Sequence, residues 1–253
     1  MDASPALDVL LPADRAGRIE PDDAEAALRA LYAYPDEPWV RANMVTTLDG
    51  AAAGPDGRTG SINGPPDHRV FQVLRALSDV VLVGAGTVRA EGYRAPRTPP
   101  ALRAARDEAG QGPDPELAVV TGRGDLPAAL LDDRPTPWVF TTSDAPFLGH
   151  LRAHLPVDRL HVADGPLDVG RVVRTLVDAG RRRVLTEGGP QLLGALLAEG
   201  LVDELCLTQS PVVTGGGPPL VAAGGTPRLA HAAPAHLLHA DGFLVGRWVL
   251  ARG

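Results

Sequence analysis

The chain has 253 residues, a net charge of -7 and 44% hydrophobic residues, enough for one large α/β domain with a substantial core. The acidic balance and the absence of a basic run interleaved with aromatics argue against a general nucleic-acid surface. No apolar run approaches the roughly 20 residues of a membrane span, and the start of the chain lacks the pattern of a signal peptide, so a soluble cytoplasmic protein is expected. With Cys206 as the single cysteine, an intrachain disulfide, an iron–sulfur site and a cysteine zinc set are all excluded, and Cys206 reads as a buried strand residue.

Residues 1–37 read as an N-terminal extension with one helix from Asp22 to Tyr34, ended by Pro35 and Pro38. Residues 38–253 read as one further domain. Its first strand is expected at Trp39 to Thr46, and the stretch from Thr47 to Asp67 is too rich in Gly, Asp and Pro for regular structure. Val70, Phe71, Val73, Leu74 and Leu77 then mark an amphipathic helix over 65–78, and Val80 to Val83 a buried strand. The segment from Arg103 to Gly112 reads as a mobile loop or marginal helix.

Short strands follow at Leu117 to Thr121, Trp138 to Thr142 and Arg159 to Val162. Val169, Val172, Val173, Leu176 and Val177 mark a helix stopped by Gly180, and Arg181, Arg182 and Arg183 read as a solvated strand entrance. A hairpin-like end is expected from Val202 to Ser210 and Phe243 to Leu250. Alternating strands and helices imply an α/β fold with a predominantly parallel central sheet flanked by helices.

The segment VLTEGGPQLLGALLAEGLVDELCLTQSP, residues 184–211, carries the most information. Val184 and Leu185 run as a strand into Thr186 and Glu187; Gly188 and Gly189 permit a sharp turn, and Pro190 suits a first helical position. Free backbone N–H groups at such a helix start favour an anion. Glu187 stands at the carboxyl end of a strand, where open α/β sheets bind ligands. GAGT, residues 84–87, is a second candidate phosphate turn, with Gly84, Gly86 and the Thr87 hydroxyl available to an anion. Arg89 stands where a dinucleotide fingerprint needs its third glycine, and no Walker lysine is present. Arg75, at the edge of the apolar stripe of the 65–78 helix, could reach a phosphate or snorkel at the surface. Asp49 reads as a turn residue. His150 and His154 have helical spacing but no acidic third ligand nearby, so no metal is expected.

The runs NMVTTLDG (43–50), SDVVLVGAGTVRAEGYRAPR (78–97) and VLTEGGPQLLGALLAEGLVDEL (184–205) stand in one order, and the chain from about 38 to 250 resembles the riboflavin-biosynthesis pyrimidine reductases. The resemblance implies a dihydrofolate-reductase-like fold, usually in a homodimer. It also implies NADPH-dependent reduction of the ribose of a ribosylaminopyrimidine 5′-phosphate to a ribityl chain. The deaminase half of the bifunctional relatives is expected to be missing, since its zinc site needs more cysteines.

Residue by residue, the resemblance implies that Thr87 and Glu91 touch the cofactor, Glu91 replacing an aspartate. Gly188, Gly189, Pro190, Gln191, Leu192 and Leu193 match the turn and helix start that hold its phosphates, and Val45 a backbone contact on the nicotinamide side. Thr59 matches a substrate hydroxyl position, Arg75 a phosphate-binding arginine and Glu187 a carboxylate near the reacting ribose. Arg94 or Arg97, with Arg97 preferred, is expected as a second phosphate contact. Two positions depart: Asn43 replaces a lysine, and Ser61, at a cofactor position, replaces a tryptophan. A stand-alone branch or a changed substrate accounts for either departure.

On this reading Glu187 and Asn43 hold sugar and base while Arg75 anchors the phosphate. Arg123 in TGRG is the candidate for a preference for NADPH over NADH. Two rivals stay open: a related reductase turned to a pterin or dihydrofolate, and a non-catalytic NADPH-binding module.

Overall fold

The computed structural model describes residues 4–222 and 229–251. The strands are β1 (Leu7–Leu11), β2 (Gly17–Ile19), β3 (Trp39–Thr46), β4 (Val80–Gly84), β5 (Glu116–Val120), β6 (Trp138–Thr142), β7 (Leu160–Ala163), β8 (Arg183–Thr186), β9 (Glu204–Gln209), β10 (Ala232–Ala240) and β11 (Phe243–Leu250). The helices are α1 (Ala26–Leu31), α2 (Pro65–Leu77), α3 (Ala85–Glu91), α4 (Pro100–Glu108), α5 (Ala128–Leu131), α6 (Leu148–His154), α7 (Val169–Asp178) and α8 (Pro190–Ala198).

All the strands join one sheet in the order β2-β1-β10-β11-β9-β3-β8-β4-β5-β6-β7. From β9 to β7 every pairing is parallel; from β9 back through β11, β10 and β1 to β2 every pairing is antiparallel. The fold is therefore α/β with a mostly parallel central sheet. Strands covered on both faces read as continuous apolar runs, as in Val80–Val83, all fully buried. The residues of β4 part between the two faces. Val81 and Val83 join a core with Leu28, Leu74, Val88, Leu102, Leu130 and Leu151 from α1 to α6, while Val80 and Leu82 join a second core with Leu176 of α7 and Leu193 and Leu196 of α8.

Three features differ from the sequence expectation, and of the two readings open for the segment from Arg103 the helix is the one formed. The N-terminal segment carries β1 and β2 besides a helix shorter than expected, because Leu7, Val9 and Ile19 turn inward and extend the sheet beside β10. The hairpin partner of β11 is β10, with β9 on the other side of β11. Two left-handed residues, Asp241 and Gly242, make the turn that an Asp-Gly pair favours. In β10, AAPAHLLHA, the residues His236, Leu238 and Ala240 alternate inward. GAGT opens directly into α3 instead of remaining a turn. Residues 100–108 form a regular helix, α4, whose buried Arg106 donates to the Ala76 and Ser78 carbonyls at the end of α2 at 2.9 and 2.7 Å. Cys206 lies on β9 and is buried, as expected.

Candidate active site

The carboxyl ends of β3, β4, β5 and β8 open into a cleft, the place where open parallel sheets present their connecting loops to ligands. A cavity of about 720 Å³ is lined by Gly84, Gly86 and Thr87 at the start of α3, by Thr121, Gly122 and Arg123 after β5, and by Gly189, Pro190 and Gln191 at the start of α8. The N–H groups of a first helical turn have no partner within the helix, so the start of α8 offers donors and positive potential to an anion. The packing against the two glycines is tight. A Cβ on Gly189 would stand 2.7 Å from the Thr87 hydroxyl oxygen, and one on Gly188, whose φ is +75°, would stand 3.0 Å from the Met44 sulfur. The Gly188 carbonyl accepts from Gly84 N–H at 2.8 Å, tying the two expected phosphate turns together.

A smaller cavity of about 220 Å³ adjoins it, lined by Asn43, Val45, Asn63, Asp67, His68, Phe71, Arg75 and Tyr93. Met44, Ala52, Thr59, Thr87, Glu91 and Glu187 line both, so the two volumes meet across these side chains. A third, about 420 Å³, continues outward past Arg75 and Tyr93 to Arg94, Pro96 and Arg97.

Glu187 is central to this arrangement. Its side chain is 4% exposed, and it accepts from Arg75 through two bonds, Nε to Oε1 and Nη2 to Oε2, both 2.7 Å. The Tyr93 hydroxyl donates to Oε2 as well. Arg75 is sandwiched further: its guanidinium carbon lies 4.1 Å from the Phe71 ring centroid and 5.5 Å from that of Tyr93. Burial, and then the charge of Glu187, push the Tyr93 hydroxyl well above its ordinary range, so it remains a donor. Gly92, left-handed at φ +66°, ends α3 and lets the chain turn Tyr93 back over its own helix, with Tyr93 N–H on the Val88 carbonyl at 3.0 Å. Glu91 accepts from the Thr59 amide at 2.8 Å and so fixes the 59–61 turn against α3.

The structure brings Asn43, Val45, Thr59, Arg75, Gly84, Gly86, Thr87, Glu91, Arg123, Glu187, Gly189, Pro190, Gln191 and Leu192 to the walls of the first two cavities. Arg94 and Arg97 line the outer one, each already engaged: Arg94 by Asp133, and Arg97 by Asp114 and the Arg134 carbonyl at 2.9 and 2.8 Å. Three expected cofactor residues do not line the cleft. Ser61 turns to Asp56, Gly188 acts through its carbonyl, and Leu193, fully buried, packs in the core beneath α8.

Two residues were missed. Tyr93 stands within a quoted motif, but an aromatic after a helix-ending glycine carries no chemical signal by itself. Asp67 carried a legible one: Asp67, Phe71 and Arg75 are four residues apart on α2 and share one face, all lining the inner cavity. Asp67 is 7% exposed; burial raises its pKa above the usual carboxylate value, and a hydrogen bond with Thr208 lowers it. Among the described residues no cluster of three or more His, Cys, Asp or Glu is arranged for a metal ion, and no helix is long and apolar enough to cross a membrane.

Parallel-sheet architecture, an anion-ready helix start and an adjoining polar cavity define an α/β protein with a cleft for two ligands. Residues 38–241 match the family model described as the RibD C-terminal domain, and the chain belongs to that family. It is 29% identical over 181 residues, 71% of this chain and 83% of the relative, to the 2,5-diamino-6-ribosylamino-4(3H)-pyrimidinone 5′-phosphate reductase of Archaeoglobus fulgidus. To the protein of the same name from Methanothermobacter thermautotrophicus it is 31% identical over 183 residues, 71% of this chain and 80% of the relative. Against the riboflavin biosynthesis protein RibD of Mycobacterium tuberculosis it is 30% identical over 181 residues, 71% of this chain but 44% of that longer protein. In fold it is similar to a pyrimidine reductase-like protein from Corynebacterium diphtheriae, with a TM-score of 0.77 at 23% identity, covering 89% of this chain and 99% of that one.

Proposed function

We propose that the chain catalyses NADPH-dependent reduction of the ribose of a ribosylaminopyrimidine 5′-phosphate to a ribityl chain in riboflavin biosynthesis. The observation that carries this reading is the position of Glu187, a buried carboxylate at the junction of the large and the inner cavity, gripped by Arg75 and Tyr93. The residues fit the cofactor: the Gly188–Gly189 cradle leaves no slack beside Thr87, and the first turn of α8 faces the cleft, where helix N–H groups favour an anion. When bound, NADPH supplies the hydride.

The chain's own residues position the substrate. Arg75 spends Nε and Nη2 on Glu187 and keeps Nη1 for a phosphate in the outer cavity, where Arg94 and Arg97 add positive charge. The remaining lone pairs of Glu187 accept from ribose hydroxyls, and Asn43 on β3 meets the base. Opening of the ribosylamine gives an imine at C1′; hydride at carbon and a proton at nitrogen complete the ribityl amine, so orientation of two anionic ligands supplies most of the rate. Arg123, lining the large cavity beside Gly122, is suited to a ribose 2′-phosphate and so to NADPH over NADH. A homodimer and a cytoplasmic location complete the reading on resemblance.

Loss of NADPH absorbance with the ribosylaminopyrimidine 5′-phosphate, in its aminated and deaminated forms, tests it, with dihydrofolate and NADH as controls. Oxidation with a pyrimidine is expected. Oxidation with dihydrofolate alone, or binding of NADPH without turnover of any of the three, overturns it.

A further inference from the structure

Three carboxylates line the inner cavity, and two of them are spoken for. Glu187 is gripped by Arg75 and Tyr93, and Glu91 holds the amide of Thr59. Asp67, in the first turn of α2, has no cation within ion-pair distance among the described residues, and its one side-chain partner is the hydroxyl of Thr208 on β9. A buried carboxylate facing a cavity without a cation is costly unless a ligand supplies donors. Nothing in the sugar or phosphate chemistry just described uses it.

Resting on the reading of the chain as a pyrimidine reductase, we propose that Asp67 is the base-selecting residue and that it commits the enzyme to the still-aminated pyrimidine. A carboxylate only accepts hydrogen bonds. The 2-amino-4-oxo base presents two donors side by side, the ring N3–H and the 2-amino group, which pair with two carboxylate oxygens as a guanidinium edge does. In the deaminated base a carbonyl oxygen replaces the amino group, so acceptor faces acceptor and one buried oxygen stays unpaired, a cost that differences in apolar contact do not produce.

Burial first, and the charge of Glu187 with it, raise the pKa of Asp67, while the Thr208 hydroxyl, His68 and the N-terminal end of α2 favour the charged form that pairs with the aminated edge; a protonated acid would read the deaminated edge instead. Asn43 and Asn63, on the walls of the same cavity, offer amides that adapt to either base, and the chain contains no lysine to hold a carbonyl in their place.

Asp67→Asn tests the idea because an amide has the shape of the carboxylate but presents one donor and one acceptor. For the unaltered enzyme, kcat/KM should favour the aminated substrate by at least about 100-fold, and Asp67→Asn should lower it for that substrate while holding or raising it for the deaminated one. A second reading, free of turnover, is calorimetric binding of 2,6-diamino-4-hydroxypyrimidine against 6-aminouracil to the NADPH-loaded protein, with thermal unfolding to confirm that the variant is folded. Equal preference in the unaltered enzyme, or an equal loss on both substrates in the variant, overturns the assignment. Should neither pyrimidine be turned over, the reductase reading fails, and the ratio of the two binding constants still decides whether Asp67 chooses the base.

Discussion

Arg75 and Glu187 are 112 residues apart in sequence, yet they close a two-pronged ion pair with both N–O distances at 2.7 Å. The pair joins α2 to the end of β8, so the helix that lines the substrate cavities and the turn that lines the cofactor cleft are held in one geometry. Arg75 is also seated between two aromatic rings, which favours a flat guanidinium over an ammonium.

Arg75→Ala should therefore do two kinds of damage. It leaves the buried Glu187 without its cation, a loss of about 3 kcal/mol in stability, and it removes the phosphate anchor, so KM for a phosphorylated substrate should rise by about 100-fold. Arg75→Lys should restore part of the stability and little of the KM, because one ammonium cannot grip two carboxylate oxygens and a phosphate together. Steady-state kinetics with chemical denaturation separates the two; an unchanged KM in Arg75→Ala would remove Arg75 from the substrate site.

The close approach of Gly189 to Thr87 gives a second test. Gly189→Ala should weaken NADPH binding by about 10-fold or more, since the new methyl group must push the Thr87 hydroxyl or the α8 start out of place. Adding Thr87→Ala should recover thermal stability, because the atom in conflict is gone, without recovering full cofactor affinity, because Thr87 itself lines the cleft. Additive losses in the double variant would mean that the two residues do not press on each other.

At the opposite end of the strands, Glu116 accepts from Arg181 at 2.7 Å, from Arg159 at 2.8 Å and from the Trp138 indole. Burial alone would raise its pKa, but these three donors, Arg181 foremost, hold it down to about 2. A carboxylate depressed from about 4.5 to about 2 stabilises the fold fully above the upper value and loses that contribution as pH falls between the two. Glu116→Gln should cost on the order of 2 kcal/mol at neutral pH and flatten the acid limb in that window. Parallel acid-unfolding curves for the two proteins would show that Glu116 is not the titrating group.

How much of this could be read beforehand depends on where each residue's signal resides. The run at 80–84 was legible because a strand covered on both faces is apolar throughout. The glycine turn at 188–189 was legible because its spacing survives any change in the surrounding fold. The strand β10 was not, since its inward residues include a histidine and its edge a proline, and only the Asp241–Gly242 turn announced it. Asp67 showed itself as an acidic residue in line with Phe71 and Arg75, a pattern that gains meaning only when α2 is known to flank a cavity. The grip of Tyr93 on Glu187 joins residues 94 positions apart and leaves no local trace.

The N-terminal segment offers the last test. Leu7, Leu28 and Tyr32 are fully buried, and Arg69 on α2, 4% exposed, reaches into that segment from the other side. It donates to Glu25 through two bonds, at 2.8 and 2.7 Å, and to the carbonyls of Pro5, Ile19 and Glu20. Arg69 lies between Asp67 and Phe71, so the same bonds brace the helix that lines the substrate cavity. Arg69→Ala is expected to strand Glu25 and three carbonyls, costing about 3 kcal/mol, a fall of roughly 10 °C in Tm. Removing residues 4–37 should go further and prevent independent folding, because β10 loses its neighbour β1 and the core loses side chains from β1, β2 and α1. A truncated protein that unfolds at the original temperature with unchanged NADPH oxidation would make the segment an appendage, and the Arg69 contacts incidental to the site.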